Sequence, residues 1–202
     1  MTRATESLCI AEVCGSTERH RTPDQILGPY FPAEHRLLAQ DDLTSIKESE
    51  GRALGEIIEV RGRVLDVRGR PVRGVRLTIW QADTFGRYDH PNDSSSVPAD
   101  PNFVGSVTMR SGVDGEYRIQ TVKPGAYPVG PDWMRPPHIH IEVQGQFERL
   151  VTQMYFPGEP LNAKDRALMS APRPDLLIAR LVSPDNPADH RIFNFEIVLT
   201  RG

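Results

Sequence analysis

The chain has 202 residues, 38% of them hydrophobic, with 24 Lys and Arg against 27 Asp and Glu for a formal net charge of -3. That length and apolar content suffice for one buried core, and the interspersed charges leave no cationic stripe that could follow a phosphate backbone or a membrane surface. No stretch approaches the ~20 apolar residues of a membrane span, and the apolar run after the polar start Met1–Ser7 is broken by Glu12. Nucleic-acid and membrane partners are therefore not expected, and the protein reads as soluble and cytoplasmic.

Residues 1–27 are mixed and polar and read as an N-terminal arm, with residues 28–202 forming a single β-sandwich domain. The arm holds both cysteines, Cys9 and Cys14, which without a second pair or a nearby histidine motif are expected to be plain reduced thiols. Gly28-Pro29-Tyr30-Phe31-Pro32 then enforces an extended, helix-free path, because proline fixes its own φ and restricts the residue before it.

From Glu56 the apolar period becomes two. Ile57, Ile58, Val60, Val64 and Leu65 run up to the turn Arg68-Gly69-Arg70-Pro71, and Val72, Val75, Leu77, Ile79 and Trp80 follow it. Such β-branched runs around a Gly and Pro turn predict neighbouring strands. Gly112-Val113-Asp114-Gly115 is a hairpin signal between the runs Val104–Met109 and Tyr117–Val122. Further runs cover Ile139–Val143, Leu150–Phe156 and Ile192–Leu199. Asp83–Pro101 is long and polar and predicts a surface loop of the kind that carries sites, while Asn162–Met169 and Asp175–Leu181 predict short helices. About seven short strands with regular turn signals predict a mainly β fold, an antiparallel-rich sandwich with long loops.

His138 and His140 lie on a predicted strand two residues apart, so both point to one face while Ile139 and Ile141 point to the other. His-x-His on a strand is a ready two-point clamp, although strand histidines are also common as ordinary hydrogen-bonded residues. Tyr127, in the turn Lys123–Pro128, and Tyr88, in the loop after Trp80, are the candidate partners. Two neutral imidazoles and two phenolates suit a hard-to-borderline trivalent ion, above all non-haem Fe(III). Each tyrosine taken singly could equally be a packing aromatic. A zinc hydrolase built on the two histidines would want a carboxylate and has no use for two phenolates.

Taken together, Trp80-Gln81-Ala82-Asp83 with Gly86-Arg87-Tyr88, Asp100-Pro101-Asn102-Phe103, Lys123–Pro128, Arg135-Pro136-Pro137-His138-Ile139-His140 and Leu150–Phe156 resemble the intradiol ring-cleaving dioxygenases, in particular the iron-bearing beta-type chains of protocatechuate 3,4-dioxygenase. The resemblance runs in unbroken order from about Thr22 to Ile197–Leu199 and implies a prealbumin-like sandwich. It also implies that Tyr88 and His138 are equatorial ligands of a non-haem Fe(III), with Tyr127 and His140 axial. The implied reaction opens a catechol-type ring between its hydroxyl-bearing carbons with O2, giving a cis,cis-muconate. Tyr127 would accept a substrate proton, Arg135 would stand beside the ring, and Gln153 would support the substrate site. His90 would be a supporting or solvent-facing residue.

Where the protocatechuate enzymes commonly carry Tyr-Pro-Trp, this chain has Tyr127-Pro128-Val129, so the wall of the pocket differs and another para-substituted catechol is an open expectation. The resemblance further implies a homo-oligomer, or a hetero-oligomer with a related alpha-type chain. The alternative from another class is a non-catalytic transthyretin-like binding module, which would share the strands but not need the four candidate ligands together.

Overall fold

The computed structural model describes residues 19–32, 41–46, 50–182 and 190–202; Cys9 and Cys14 lie outside the described residues. One sheet is built on β1 (Ile57–Asp66), which pairs antiparallel with β4 (Glu116–Val122) and parallel with both β10 (Arg191–Asn194) and β11 (Ile197–Leu199); β9 (Arg180–Val182) extends it through β10. The second sheet has the order β3-β2-β7-β8, from β2 (Arg76–Trp80), β3 (Ser106–Arg110), β7 (His138–Gln144) and β8 (Arg149–Tyr155), all antiparallel. A separate hairpin joins β5 (Tyr127–Gly130) to β6 (Trp133–Arg135). The only α-helix among the described residues is α1 (Arg166–Met169), and none is long and apolar enough to cross a membrane.

Alternation along the strands makes the core. Ile58, Val60 and Val64 of β1 and Ile119 of β4 meet Leu77 and Ile79 of β2, Ile139, Ile141 and Val143 of β7 and Met154 of β8 between the sheets, all of them at most 1% exposed. The expected β-sandwich is present, with two differences in its details. The run Ile192–Leu199 is two strands rather than one, and both lie along the same edge of β1. The break falls at Phe195, whose amide donates to the Arg61 carbonyl (2.9 Å) and whose own carbonyl accepts the buried Tyr117 hydroxyl (2.7 Å). That carbonyl dips over Gly62, so a backbone detour takes the place of a ladder bond. The stretch Asp175–Leu181 contains only a single 3-10 turn, Pro174–Leu177, before turning into β9, since the Ala179 amide bonds the Tyr155 carbonyl (2.9 Å) and draws the chain into an extended path.

The expected arm, from Arg19 on, lies along the sandwich. The Thr22 amide donates to Val198, the Gln25 amide to Val151, and the Thr152 hydroxyl to the Pro23 carbonyl. Residues 19–25 thus run from β11 of the first sheet to β8 at the edge of the second.

Gly62 is where the two halves of the β1 edge meet, and a Cβ there would lie 1.8 Å from the Phe195 carbonyl oxygen. Gly62→Ala is expected to cost about 3 kcal/mol or to prevent folding, because the obstruction is backbone rather than a side chain that can turn aside. Denaturant unfolding monitored by Trp fluorescence checks this; an unchanged midpoint would show that β11 docks some other way.

Candidate active site

β7 presents Ile139, Ile141 and Val143 to the core, so His138 and His140 face outward, yet both are at most 2% exposed. Register places Trp80 of β2 and Gln153 of β8 on either side of His140, and Tyr155 of β8 beside His138. The indole of Trp80 stacks on the His140 ring at 4.8 Å, and Tyr155 stacks on His138 at 5.7 Å. Each imidazole therefore sits against an aromatic wall.

The tyrosines arrive from loops that buried carboxylates hold in shape. Asp83 accepts the amides of Phe85 (2.8 Å), Arg87 (2.9 Å) and Asp100 (3.1 Å), and Asp93 accepts the amide of Tyr88 itself (2.8 Å) while pairing with Arg87. The polar loop Asp83–Pro101 is thus internally bonded rather than loose. Gly86, at φ +80°, and Gly125 let this loop close onto the start of β5, since a Cβ on either would meet backbone within 2.6 Å. That contact sets Tyr88 next to Tyr127.

Around the circuit Tyr88–Tyr127–His138–His140, the ring centroids are 5.4, 5.6 and 4.9 Å apart, and 6.2 Å closes it from His140 back to Tyr88. His138 Nδ1 lies 2.7 Å from the Pro136 carbonyl, which can only accept, so the proton is on Nδ1 and Nε2 carries a lone pair. That lone pair faces His140 Nε2 at 3.2 Å and the Tyr127 hydroxyl at 3.4 Å. Two imidazole nitrogens this close require something positive between them, a proton or a metal ion. The buried Tyr88 hydroxyl has no hydrogen-bond partner of ordinary geometry. A buried phenol without an ordinary hydrogen bond beside two inward-facing imidazole nitrogens is a donor set that a cation would satisfy. Among the described residues no three His, Cys, Asp or Glu side chains gather as a metal site.

The electrostatics agree with the burial. Burial, and then the positive charge of Arg135, push His138 down to about 3 against the pull of the Pro136 carbonyl. Burial, with His138 and Arg135, holds His140 well below the ordinary imidazole value. Both rings are neutral near pH 7, the form in which imidazole binds metals. Burial raises Tyr88 and Tyr127 above the ordinary phenol value, while Arg135 pulls both downward. Only a strong local positive charge would make these phenols anionic at neutral pH.

Arg135 is itself 2% exposed and enters a buried network. Its Nη2 donates to Gln153 Oε1 and to the Tyr155 hydroxyl, both at 2.7 Å, and its Nε and Nη2 reach Asp165 Oδ2 at 3.2 and 3.0 Å. Gln153 is tied to the covering segment through Nε2 and the Ile26 carbonyl (2.8 Å). That segment closes the site from outside: Tyr30 stacks on Tyr88 at 4.4 Å, and Phe31 meets Trp80 edge-on at 5.0 Å. Gly28, at φ +77°, passes so near His140 that a Cβ would lie 3.3 Å from its Cε1. His90 stands outside the circuit, its Nε2 3.1 Å from the Phe31 carbonyl.

The structure thus brings Tyr88, Tyr127, His138 and His140 into one cluster, with Arg135 and Gln153 in the adjoining network. Sequence reading missed Tyr30 and Asp165 as members of this region, and took Trp80 and Tyr155 only as parts of motifs. Tyr155 was within reach, since it shares a strand face with Gln153. Asp165 announces itself only as a helix cap, and nothing local links Tyr30 to Tyr88.

Known proteins agree with this architecture. A sequence family described as Dioxygenase matches residues 26–201. The protocatechuate 3,4-dioxygenase beta chain of Burkholderia cepacia is 43% identical over 90% of this chain and 80% of its own length. The protocatechuate 3,4-dioxygenase alpha chain of Pseudomonas putida is 33% identical over 84% of this chain and 88% of its own. Among solved structures, the dioxygenase domain of a dioxygenase and carbohydrate-binding protein fusion from Streptomyces sp. SirexAA-E superposes with a TM-score of 0.69 at 32% identity, covering 91% of this chain and all of that one. With the family matched across most of its length and the sandwich in place, the chain belongs to the intradiol ring-cleaving dioxygenases.

Proposed function

We propose that this chain binds non-haem Fe(III) through Tyr88, Tyr127, His138 and His140 and cleaves protocatechuate or another para-substituted catechol with O2, giving a cis,cis-muconate. The observation that carries the reading is the closed circuit of two imidazoles and two phenols, in which His138 Nε2 meets both His140 Nε2 (3.2 Å) and the Tyr127 hydroxyl (3.4 Å) while the Tyr88 hydroxyl, beside Tyr127, makes no hydrogen bond of ordinary geometry. Bound there, ferric iron would act as a Lewis acid that favours the deprotonated diol and both phenolates.

The protein's own groups supply the rest. Tyr127 is half-buried where Tyr88 is fully buried, which makes it the phenol that can turn outward and accept a substrate proton. Arg135 offers a permanent, planar positive charge next to the cluster, suited to stabilising negative charge that develops on the ring or on oxygen. The covering residues Tyr30, Phe31 and Gly28 keep water from the imidazole side. The identity to the beta chain from B. cepacia and to the alpha chain from P. putida supports assembly with a related alpha-type chain. Val129, in place of a bulky residue after Tyr127 and Pro128, is 51% exposed, and the smaller side chain favours a ring with a substituent.

Purified protein is expected to show a strong red-brown tyrosinate-to-iron band that shifts when protocatechuate is added without oxygen; a protein that stays colourless after ferric loading would sink the reading. His140→Ala should lose the band and lower bound iron, by metal analysis, to below a tenth of wild type, since one of four donors and its aromatic stack are removed together. Tyr127→Phe should keep most of its iron, with the Tyr88 component of the band still visible, and slow turnover about 100-fold, the scale of a lost proton acceptor. Wild-type rates in Tyr127→Phe would remove that residue from the chemistry.

A further inference from the structure

We propose that Asp165 is a positioning residue for the ring-cleavage reaction: its buried carboxylate sets the orientation of the Arg135 guanidinium and balances its charge. The proposal rests on the reading of Arg135 given above and adds to it the group through which Arg135 is held.

A guanidinium carries its donors in a rigid plane, so its attitude is decided by the acceptors that take them. All four bonds of Arg135 leave from Nε and Nη2: two to Asp165 Oδ2 at 3.2 and 3.0 Å, one to Gln153 Oε1 and one to the Tyr155 hydroxyl, both at 2.7 Å. Nη1 enters none of them. The indole of Trp133 lies under the guanidinium at 5.6 Å and has Arg166 at 5.5 Å as well, which limits the swing of the side chain. Of the Arg135 hydrogen-bond partners among the described residues, Asp165 alone bears a charge.

Asp165 is in turn held from its other oxygen. Oδ1 accepts the Ala167 amide at 3.0 Å and so caps α1, while Oδ2 serves Arg135. The carboxylate is 0% exposed; one oxygen takes a main-chain donor and the other the arginine, with the Tyr155 hydroxyl interacting with it as well. Capping alone does not call for an acid, since Asn or Ser caps a helix as well. Nor is a buried ion pair by itself a gain in stability, because apolar residues of similar volume often do as well. What the carboxylate alone provides is a fixed, charge-matched post for the guanidinium. Without it the arginine's remaining acceptors are neutral, and one of them, Gln153, is shared with the Tyr155 hydroxyl (2.8 Å).

The test is a double-mutant cycle with Asp165→Asn and Arg135→Gln in the iron-loaded enzyme, reading kcat, KM, the tyrosinate band and the melting temperature. Asn keeps the cap and the volume and removes the charge. In wild-type background Asp165→Asn is expected to lower kcat about 10-fold or more with a much smaller change in KM and an intact band. In the Arg135→Gln background the same change is expected to alter kcat less than about 2-fold, since the group it acts through is gone. Equal losses in both backgrounds, or a lowered melting temperature with wild-type kcat, would overturn the proposal and leave Asp165 as a structural pin. Asp165→Ser, which also caps, repeats the cycle should the Asn variant not fold. A wild-type protein that never develops the band would instead remove the iron reading itself, a result distinct from additive rates in a coloured enzyme.

Discussion

Strand β7 carries two duties on its two faces, and the rest of the molecule is arranged around that double use. Ile139, Ile141 and Val143 lock it into the core between the sheets, at 0% exposure, so the strand cannot slide or roll. A slip of one residue would send the isoleucines outward and the histidines into the apolar core, at the cost of burying polar groups without partners. The histidines are therefore held by the packing of their strand neighbours as well as by their own stacking on Trp80 and Tyr155. Rigid placement of donors on a sheet is what a metal-binding or catalytic cluster needs, because small errors in geometry are expensive there.

The second half of the cluster is built in the opposite way. Tyr88 and Tyr127 stand at loop and strand-start positions with no periodic packing to hold them, and polar chemistry does the holding. Asp83 and Asp93 are nearly fully buried and spend their oxygens on main-chain amides of the loop, which turns a sequence rich in Asp, Asn, Ser and Pro into an ordered shelf. Gly86 and Gly125 then allow that shelf to touch the approach to β5 backbone to backbone. Aromatic stacking by Tyr30 closes it from above. A sheet-borne pair of histidines and a loop-borne pair of tyrosines give one fixed wall and one wall with some freedom, and the half-buried Tyr127 lies on the freer side.

The ease of reading the sequence followed the same division. Strand runs such as Tyr117–Val122 and Ile139–Val143 were readable because alternation is a local property that the pleat imposes directly. The single run Ile192–Leu199 misled because its apolar residues, spaced by Asn194 and Glu196, read as one strand, while its interruption depends on a glycine in β1 more than a hundred residues earlier, over which the Phe195 carbonyl passes. The helical expectation for Asp175–Leu181 failed in its second half for a similar reason: pairing of Arg180–Val182 with β10 outweighed local propensity. Motif by motif, the residues of β7 and the two loops that cluster together could be named in advance as candidates, but their company could not.

What the sequence by itself determined is the set of faces and the residue types offered to the cluster: period-two runs, a His-x-His strand, punctuated turns, and tyrosines at stations where the chain cannot be regular. Tertiary structure alone decided which distant groups share the site. Asp165, whose local role is to cap a four-residue helix, becomes the counter-charge of Arg135 only because the helix packs its Leu168 against Tyr155 of β8 and Leu177. Tyr30, from a segment that reads as an arm, becomes the roof over Tyr88 because residues 19–32 bond to β11 of one sheet and β8 of the other. Such pairings are made by long-range backbone hydrogen bonds and burial, and these leave no local pattern in the chain to be read.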